Sequence, residues 1–416
     1  MKSFLKYFLT AFIAMAATAY LINLYAPFLF EVPKKDKELI KIDFQSEVTN
    51  RNIQPVTNKA KNIIFLIGDG MGSNHITSYR VMKGGPNYIT AFDKFPISGL
   101  VKTHALNTLI TDSAASATAF SSGVKTINRY VGVNPEKIAV KNILEILNEK
   151  GYISSLVATS EITHATPAAF AAHVDSRYEK DKIATAIFDS KINFILGGGK
   201  GYFYPKSKGG FREDEEDLIS KIKNQYTLIE TKEALNLEFP QSSRIFGLFA
   251  EDELVRKESE PSLLDMFKFV HKKSLEHIAN GCRGYFALIE GSMIDWRSHD
   301  NNFQSFLIEM AEYEEVVDDA LEVAKQEPDT LLIVTADHET GGLLIEPTDI
   351  RYRPTGKMNI SWNTGIGIGS HTGGMVPVFA FGPGSENFSG IMDNTDIFFA
   401  MKEALGIDSL ENASCL

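Results

Sequence analysis

Three acidic residues stand at the ends of short apolar runs, at widely separated points of the chain. They are Asp69, Glu290 and Asp337, and the runs before them are residues 62–68, 285–289 and 331–336. Uninterrupted apolar runs of this length are typical of strands buried on both faces of a parallel sheet. Ligands of α/β folds bind at the carboxyl ends of such strands. One acid there could simply cap a helix, but three repelling carboxylates favour a divalent metal site.

Imidazoles accompany two of the acidic positions. Asp295 and His299 are four residues apart, so a helix or a tight turn brings them to one side. His338 directly follows Asp337, and His371 lies in a loop of small residues. A lone loop histidine is more often a surface residue. Together, however, carboxylate and imidazole ligands suit zinc, whereas a set of oxygen ligands suits magnesium.

A segment of small and hydroxyl residues, 111–119, contains a candidate nucleophile. Ser113 follows Asp112, which has the position of a helix cap. The amino terminus of a helix presents free N–H groups and a positive dipole, which favour an ionised serine and a bound phosphate. A nearby metal could lower the serine pKa in place of a general base. The alternative is a small-residue helix that packs closely on a sheet and has no chemical role.

The elements that must position these residues alternate along the chain. Further strand candidates are residues 153–158, 194–196 and 376–381. Helical periodicity occurs over 140–147, which Gly151 ends, and again over 302–326. This alternation predicts an α/β fold, a three-layer sandwich with a central, mostly parallel sheet between helices.

Two further segments read as peripheral additions to that sandwich. Residues 200–280 are charged and helix-rich, which predicts an accessory helical layer. Residues 344–368 predict a loop or small crown over the mouth of the site, where they could set access or form a dimer contact. Surface decoration is an equally good interpretation of the second segment.

The composition excludes several classes of protein. Fifty-three acidic against 42 basic residues give a net charge of −11, which argues against binding to nucleic acid. Cys282 and Cys415 are too few for a disulfide-rich scaffold, and their spacing gives no firm basis for pairing them. A hydrophobic content of 44% argues against bulk disorder.

The amino-terminal residues 7–30 carry no charged side chain. A helix over them would span about 36 Å, enough to cross a bilayer core of about 30 Å. We expect an uncleaved signal anchor; a cleaved signal peptide and a buried core helix are the alternatives. Either of the first two places the following body outside the cytoplasm, on the periplasmic or extracellular face. Residues 31–60 are polar and predict a tether, with an edge strand around residues 40–44 as the alternative. The catalytic domain extends over 61–416, and we expect no glycolipid anchor.

Six segments together resemble the alkaline phosphatase family. They are residues 67–72 (IGDGMG), 111–119 (TDSAASATA), 163–168 (THATPA), 290–295 (EGSMID) with His299, 335–342 (TADHETGG) and 370–373 (SHTG). They occur in the order of the family and cover roughly residues 60 to 406. The resemblance implies hydrolysis of phosphate monoesters through a phosphoserine, with release of inorganic phosphate and an alcohol.

The resemblance also implies two zinc ions and one magnesium ion. The residues implied for the first zinc ion are Asp295, His299 and His371. Those implied for the second are Asp69, Asp337 and His338, and those for magnesium are Asp69, Thr166 and Glu290. The substrate-binding residues implied are Asp112, the nucleophile Ser113, Arg177, which would grip the phosphoryl oxygens, and Trp296.

Two positions vary within the family. His164 stands where some members have aspartate, so it supplies no formal negative charge near magnesium. We expect weaker magnesium retention there and a site open to a third zinc ion. Trp296 stands where others have lysine or histidine, and we expect weaker phosphate binding and faster product release.

Related enzymes provide the alternatives. A sulfatase would need a Cys-x-Pro-x-Arg-like motif, which the sequence lacks, and a phosphodiesterase would lack the full magnesium set. A phosphoglycerate mutase would be cytosolic, against the apolar leader. A membrane-tethered metal-binding protein without turnover would require a broken site, yet Ser113 and the expected ligands are all present. A homodimer is compatible with the sequence.

Overall fold

A computed structural model describes residues 51–240, 243–348, 356–365 and 371–415. The apolar segment 7–30, predicted as a signal anchor or signal peptide, lies outside the described residues. Within the described ranges, every helix is too short or too polar to cross a membrane. Residues 51–60, the described part of the predicted tether, bond to the carboxyl-terminal region: the Arg51 amide donates to Asp396 Oδ1 at 3.1 Å.

Fourteen strands occur in the described residues. They are β1 (Asn62–Gly68), β2 (Ile97–Lys102), β3 (Ile153–Glu161), β4 (Phe194–Gly198), β5 (Thr227–Ile229), β6 (Ile245–Leu248), β7 (Tyr285–Gly291), β8 (Thr330–Thr335), β9 (Glu339–Thr340), β10 (Leu343–Glu346), β11 (Asn359–Trp362), β12 (His371–Thr372), β13 (Val376–Phe381) and β14 (Gly390–Asp393). Ten of them form one sheet in the order β14-β2-β13-β8-β1-β7-β3-β4-β6-β5. Only β13 among these ten runs antiparallel to its neighbours, so the sheet is mostly parallel.

Ten α-helices accompany the strands in the same part of the chain. They are α1 (Ser73–Gly84), α2 (Ser113–Ser122), α3 (Ile143–Glu149), α4 (Ala165–Ala168), α5 (Lys180–Asp189), α6 (Leu218–Gln225), α7 (Leu263–Ala279), α8 (Met293–His299), α9 (Phe303–Gln326) and α10 (Asn394–Leu405). Short 3₁₀ helices lie at Ala91–Lys94, Lys200–Phe203, Lys206–Lys208, Lys232–Asn236, Ser385–Phe388 and Ile407–Ser409.

Helices cover both faces of the sheet, as strand β1 shows. Phe65 packs edge-to-face on Phe120 of α2, with ring centroids 5.7 Å apart. A Cβ added at Gly68, on the opposite face of the strand, would lie 3.0 Å from the ring of Tyr313 of α9. Successive side chains of a strand project to opposite faces, so α2 and α9 lie on opposite sides of the sheet. The predicted three-layer α/β sandwich is confirmed.

The three predicted strands that end in acids lie side by side at the centre of the sheet. β1 pairs in parallel with β7 on one side and with β8 on the other. Every residue of these strands is buried, which explains why the sequence shows continuous apolar runs there instead of alternation.

The segment predicted to be an accessory helical layer also supplies strands. Residues 200–280 contain α6 and α7, and in addition β5 and β6, which extend one edge of the central sheet. β5 has only three residues and β6 only four. Strands this short carry little periodic signal, so the helical composition around them dominated the sequence pattern.

The segment between the last two metal motifs contains a small antiparallel ladder. β10 pairs with β11 from Leu343 opposite Trp362 to Glu346 opposite Asn359. A second ladder, of two residues, places His371 opposite Thr340. This second ladder therefore joins the loop that carries His371 to the segment that follows the central strand β8.

Cys282 and Cys415 form a disulfide across 133 positions of sequence. The spacing gave no firm basis for this pairing, because the two residues come together only through the fold. The Ala413 amide donates to the Glu149 carbonyl, and the Arg283 amide to the Gly151 carbonyl. Both cysteines are therefore held beside the turn between α3 and β3.

Candidate metal centre and active site

The strand-end carboxylates converge at the carboxyl edge of the sheet. Ile67 of β1 pairs with Glu290 on one side and with Thr335 on the other. Asp69 and Asp337 each lie two residues beyond this row. All three acids are fully buried, so their charges face one another without the screening of bulk water.

The three acids accordingly resist ionisation when no cation is present. Burial, followed by the charges of Asp337 and Asp295, raises the pKa of Asp69 well above its usual range. Burial raises the pKa of Glu290 to about 8, against an opposing hydrogen bond from Ser292. Burial, with the charge of Asp295, raises the pKa of Asp337 to about 6. A cluster of this kind needs protons or cations to neutralise it.

A first ligand group consists of Asp295, His299 and His371. Helix α8 brings Asp295 and His299 together at the predicted spacing of four, with Oδ2 and Nε2 3.2 Å apart. His371 reaches them from the β12 ladder, its Nε2 3.2 Å from that of His299. Burial alone would raise the pKa of Asp295, but the surrounding imidazoles lower it, so this carboxylate is ionised.

A second group forms around His338. Its members by geometry are Asp69, Asp295 and His338. The predicted set had Asp337 in place of Asp295. Asp337 is also close, because its Oδ2 lies 3.1 Å from His338 Nε2, and Asp69 Oδ1 lies 3.6 Å from the same nitrogen. Asp295 is thus a member of both the first and the second group.

A third group consists of Asp69, His164 and Glu290. Thr166, predicted as a magnesium ligand, lies two residues from His164 in the short helix α4, which follows β3. β3 is parallel to β7, with Ala158 opposite Glu290. Because of this register, the segment that follows β3 and contains His164 lies close to the Glu290 carboxylate.

Unpartnered atoms test whether these residues suit bound cations. Buried polar atoms are normally hydrogen-bonded, and an orphan needs an explanation. Six orphans at this edge of the sheet belong to predicted metal ligands: Asp69 Oδ1 and Oδ2, His164 Nδ1, Thr166 Oγ1, Glu290 Oε1 and Asp337 Oδ2. Two more, Glu161 Oε2 and Thr163 Oγ1 at the end of β3, lie outside the predicted set. The oxygen and imidazole chemistry of the six fits zinc and magnesium.

Ser113 is the first residue of α2 and is almost fully buried. Asp112 caps the helix by accepting a hydrogen bond from the Ala115 amide at 3.0 Å. Ser113 Oγ lies 3.2 Å from His338 Nε2. The nucleophile predicted from the sequence therefore touches the second ligand group and stands at the positive end of a helix dipole.

Arg177 joins the nucleophile segment to the third ligand group. Its Nη1 donates to Asp112 Oδ2 at 3.1 Å, and its Nη2 donates to His164 Nε2 at 2.9 Å. Burial opposes its charge, but Asp112 raises the pKa of Arg177, so the guanidinium stays ionised. A planar fork held at two points suits the oxygens of a phosphoryl group.

An open cleft of about 740 Å³ leads to these residues. Its lining includes Ser113, Arg177, His299 and Trp296. Trp296 packs edge-to-face on His164, with ring centroids 5.9 Å apart. The predicted site residues that line this opening are Asp112, Ser113, His164, Arg177, Asp295, Trp296, His299 and His371.

Hydrogen bonds orient two of the imidazoles, and the sequence motifs did not reveal them. His338 Nδ1 lies 3.2 Å from Thr340 Oγ1, and Thr340 donates to Asp295. The His371 Nδ1 lies 2.8 Å from the carbonyl oxygen of Thr111. In each case Nδ1–H donates, which leaves the Nε2 lone pair facing the cluster. The second threonine of TADHETGG, Thr340, was the one available signal for the first contact.

The structure explains why a glycine follows Asp69 in the segment IGDGMG, residues 67–72. A Cβ at this position would lie 2.7 Å from Thr340 Oγ1 and 2.9 Å from Asp295 Oδ1, and its φ is +73°. Only glycine fits both the backbone conformation and the close approach. The Gly70 amide in turn donates to Asp337 Oδ1 at 3.1 Å.

The model of the Alkaline phosphatase family matches residues 60–359. The chain belongs to the alkaline phosphatase family. The resemblance predicted from the six motifs is therefore confirmed, and with it the enzyme class, a phosphoric monoester hydrolase.

Individual alkaline phosphatases resemble most of the chain. Alkaline phosphatase 4 of Bacillus subtilis (strain 168) is 34% identical over 410 residues, covering 81% of this chain and 87% of that protein. The alkaline phosphatase of Escherichia coli (strain K12) is 31% identical, covering 84% of this chain and 86% of its own. The structure of alkaline phosphatase from the Antarctic bacterium TAB5 has a TM-score of 0.74 and 34% identity, covering 85% of this chain and 99% of that chain. A histidine-to-aspartate mutant of the TAB5 enzyme has Mg bound in its M3 site.

Proposed function

We propose that this protein hydrolyses phosphate monoesters through a phosphoserine at Ser113, with two zinc ions and one magnesium ion bound. The observation that carries the proposal is the position of Ser113 Oγ, 3.2 Å from His338 Nε2 at the edge of a cluster of orphaned ligand atoms. A serine placed there touches a cation site and lines the same cleft as the guanidinium that suits a phosphoryl group.

The proposed ligands are those that the family resemblance implies, and each set shares at least two residues with one of the three groups. Asp295, His299 and His371 would hold one zinc ion, and Asp69, Asp337 and His338 the other. Asp69, Thr166 and Glu290 would hold magnesium, with His164 beside it. When bound, these cations lower the pKa of a hydroxyl or water and neutralise the charge that develops on phosphate oxygens.

The residues of the chain perform the rest of the reaction. Arg177, which Asp112 orients, binds two phosphoryl oxygens and sets the phosphorus in line with Ser113 Oγ. Ser113 loses its proton to water in the open cleft and attacks phosphorus. The Oγ–P bond forms as the bond to the leaving oxygen breaks, and that oxygen takes a proton from water in the cleft and departs as the alcohol. Water then attacks the phosphoserine and releases inorganic phosphate, returning a proton to Ser113.

A comparison of three substrates tests the reaction class. The enzyme, supplied with zinc and magnesium, is assayed at alkaline pH on a chromogenic phosphate monoester, a phosphate diester and a sulfate ester. We expect the monoester to have the highest kcat/KM. Faster turnover of the diester or the sulfate would assign the site to another branch of the superfamily.

The His164→Asp variant is expected to retain magnesium more tightly, by about tenfold. The third group gains a carboxylate in place of a neutral imidazole, and carboxylates are preferred magnesium ligands. Magnesium bound to the zinc-loaded protein can be measured by equilibrium dialysis. The Mg in the M3 site of the TAB5 mutant supports this expectation.

His164→Asn is the matched control, since it adds no charge and should leave magnesium affinity near that of the wild type. Equal affinity of the aspartate variant and the wild type would contradict the prediction.

The Trp296→Lys variant is expected to bind product more tightly, lowering the inhibition constant for inorganic phosphate by a factor of about 3 to 10. Lysine adds a cation to the cleft lining where the indole offers none. Competitive inhibition of monoester hydrolysis measures the effect. Trp296→Phe keeps a ring without charge and should leave the inhibition constant unchanged; a constant unaffected by lysine would refute the expectation.

The disulfide supports a proposal about compartment. Disulfides persist in oxidising environments outside the cytoplasm, and Cys282 and Cys415 form one here. We therefore propose that the protein is exported, with residues 7–30 as a signal anchor or a cleaved signal peptide. The catalytic domain over 61–416, with its peripheral insertions, and the formation of a homodimer stay predictions.

A further inference from the structure

An exposed pair of side chains, Arg129 and Tyr178, lines the cleft beside Arg177. The guanidinium of Arg129 lies over the Tyr178 ring, with its Cζ 5.7 Å from the ring centroid. Tyr178 is 68% exposed. Neither residue has a part in the proposed reaction.

The main chain of Arg129 is fixed to the catalytic residues on both sides. Its amide donates to Asp112 Oδ2 at 3.0 Å, and its carbonyl accepts from the Arg177 amide at 2.8 Å. Its φ of 78° lies in the left-handed region, which an arginine adopts only when its surroundings hold it there. The Cα of Arg129, from which its side chain extends, therefore has a fixed position relative to Ser113 and Arg177.

The charge of Arg129 distinguishes it from the other cations of the cleft. Arg177 is paired with Asp112, Lys180 with Glu161 at 2.5 Å, and Arg297 with Asp300 at 3.3 Å. Within the described ranges, no carboxylate lies at ion-pair distance from the Arg129 guanidinium. Among the described arginines and lysines that line the cleft, Arg129 is the one without a carboxylate partner, so its charge is available to a ligand.

We propose that Arg129 and Tyr178 form a subsite for the leaving group, which favours phosphate monoesters whose leaving group is a planar ring with a second negative charge. This inference rests on the proposed phosphomonoesterase function and adds a preference to it. The phosphoryl group occupies Arg177 and the cation sites, so the leaving group extends into the open cleft. The ring packs on Tyr178, and its anionic substituent pairs with Arg129. The subsite makes no covalent contact.

The test compares phenyl phosphate with 4-carboxyphenyl phosphate on the metal-loaded enzyme at low ionic strength. The measured quantity is the ratio of the two kcat/KM values, carboxyphenyl over phenyl. Arg129→Gly removes the guanidinium yet tolerates the positive φ, and it should lower this ratio about three- to fivefold, the effect of one exposed ion pair. The loss should fall on KM. Arg129→Lys should keep most of the ratio, and about 1 M salt should bring wild type and Arg129→Gly together.

Two outcomes would contradict the proposals. An unchanged ratio in Arg129→Gly overturns the subsite, and if both kcat/KM values also fall equally, Arg129 has a purely structural role. Failure of the wild type to hydrolyse phenyl phosphate overturns the proposed function itself.

Discussion

Replacing Ser113 with alanine is expected to lower kcat/KM for phosphate monoesters by at least about a thousandfold. Ser113 Oγ is the nucleophile in the proposed reaction, and its removal leaves only direct attack by water in the same site. The fold should survive, because alanine is compatible with the first turn of α2 and Asp112 still caps it. Steady-state kinetics on a chromogenic monoester measures the loss, and acid quenching of the wild type should trap a phosphorylated Ser113.

Ser122→Ala is the matched control for this change. Ser122 ends the same helix, is also buried, and donates to the Thr118 carbonyl at 2.6 Å. It should show full activity. Substantial turnover by the Ser113 variant, or a phosphoryl group trapped elsewhere, would remove Ser113 from the mechanism.

Removing bound metal with a chelator is expected to abolish activity and to lower the melting temperature. The three groups then leave buried carboxylate oxygens without partners, and a buried charge without a counterion is costly. Readdition of zinc and magnesium should restore both properties. Calorimetry with and without chelator measures the shift, and an unchanged melting temperature would show that the cluster does not hold structural cations.

The stability of the metal-free protein should also fall as pH rises from about 5 to 9. Glu290 and Asp337 have folded-state pKa values of about 8 and about 6, above their usual range. Protons on these groups stabilise the folded state at low pH, and that contribution is lost as pH rises through the folded-state pKa values. The free energy of unfolding should fall by a few kcal/mol across this range. Metal-free Glu290→Gln should show a flatter pH profile; identical profiles would exclude Glu290 as the source.

The centre of the fold was predictable because burial leaves a strong pattern. β1, β7 and β8 are buried on both faces, so their sequences are continuous apolar runs ended by acids. The outer strands of the sheet were not predictable. β2, next to the edge strand β14, is largely half-exposed and contains Gly99, and the edge strand β5 has three residues. Such strands form because a neighbour supplies hydrogen bonds, a condition that no local pattern records.

The site divides in the same way. Asp295 and His299 were recognisable because one helix turn brings them together. The contacts that orient the ligands join residues far apart in sequence, such as His371 Nδ1 and the Thr111 carbonyl. A main-chain carbonyl has no sequence signature. The hydrogen bond from Arg177 to His164 and the membership of Asp295 in two ligand groups were also not predictable, because they too depend on residues far apart in sequence.

The bond between Cys282 and Cys415 closes the chain into a covalent ring and a linear segment. The ring contains Glu290, Asp295 and His371, whereas Asp69 and Ser113 belong to the linear segment. A peptide-bond cut inside the ring would release no fragment without reductant, but a cut before Cys282 would. Each proposed cation that binds Asp69 together with a ring ligand is then a crosslink between ring and segment. Metal loading would reduce the number of conformations open to the unfolded chain as well as neutralising charge.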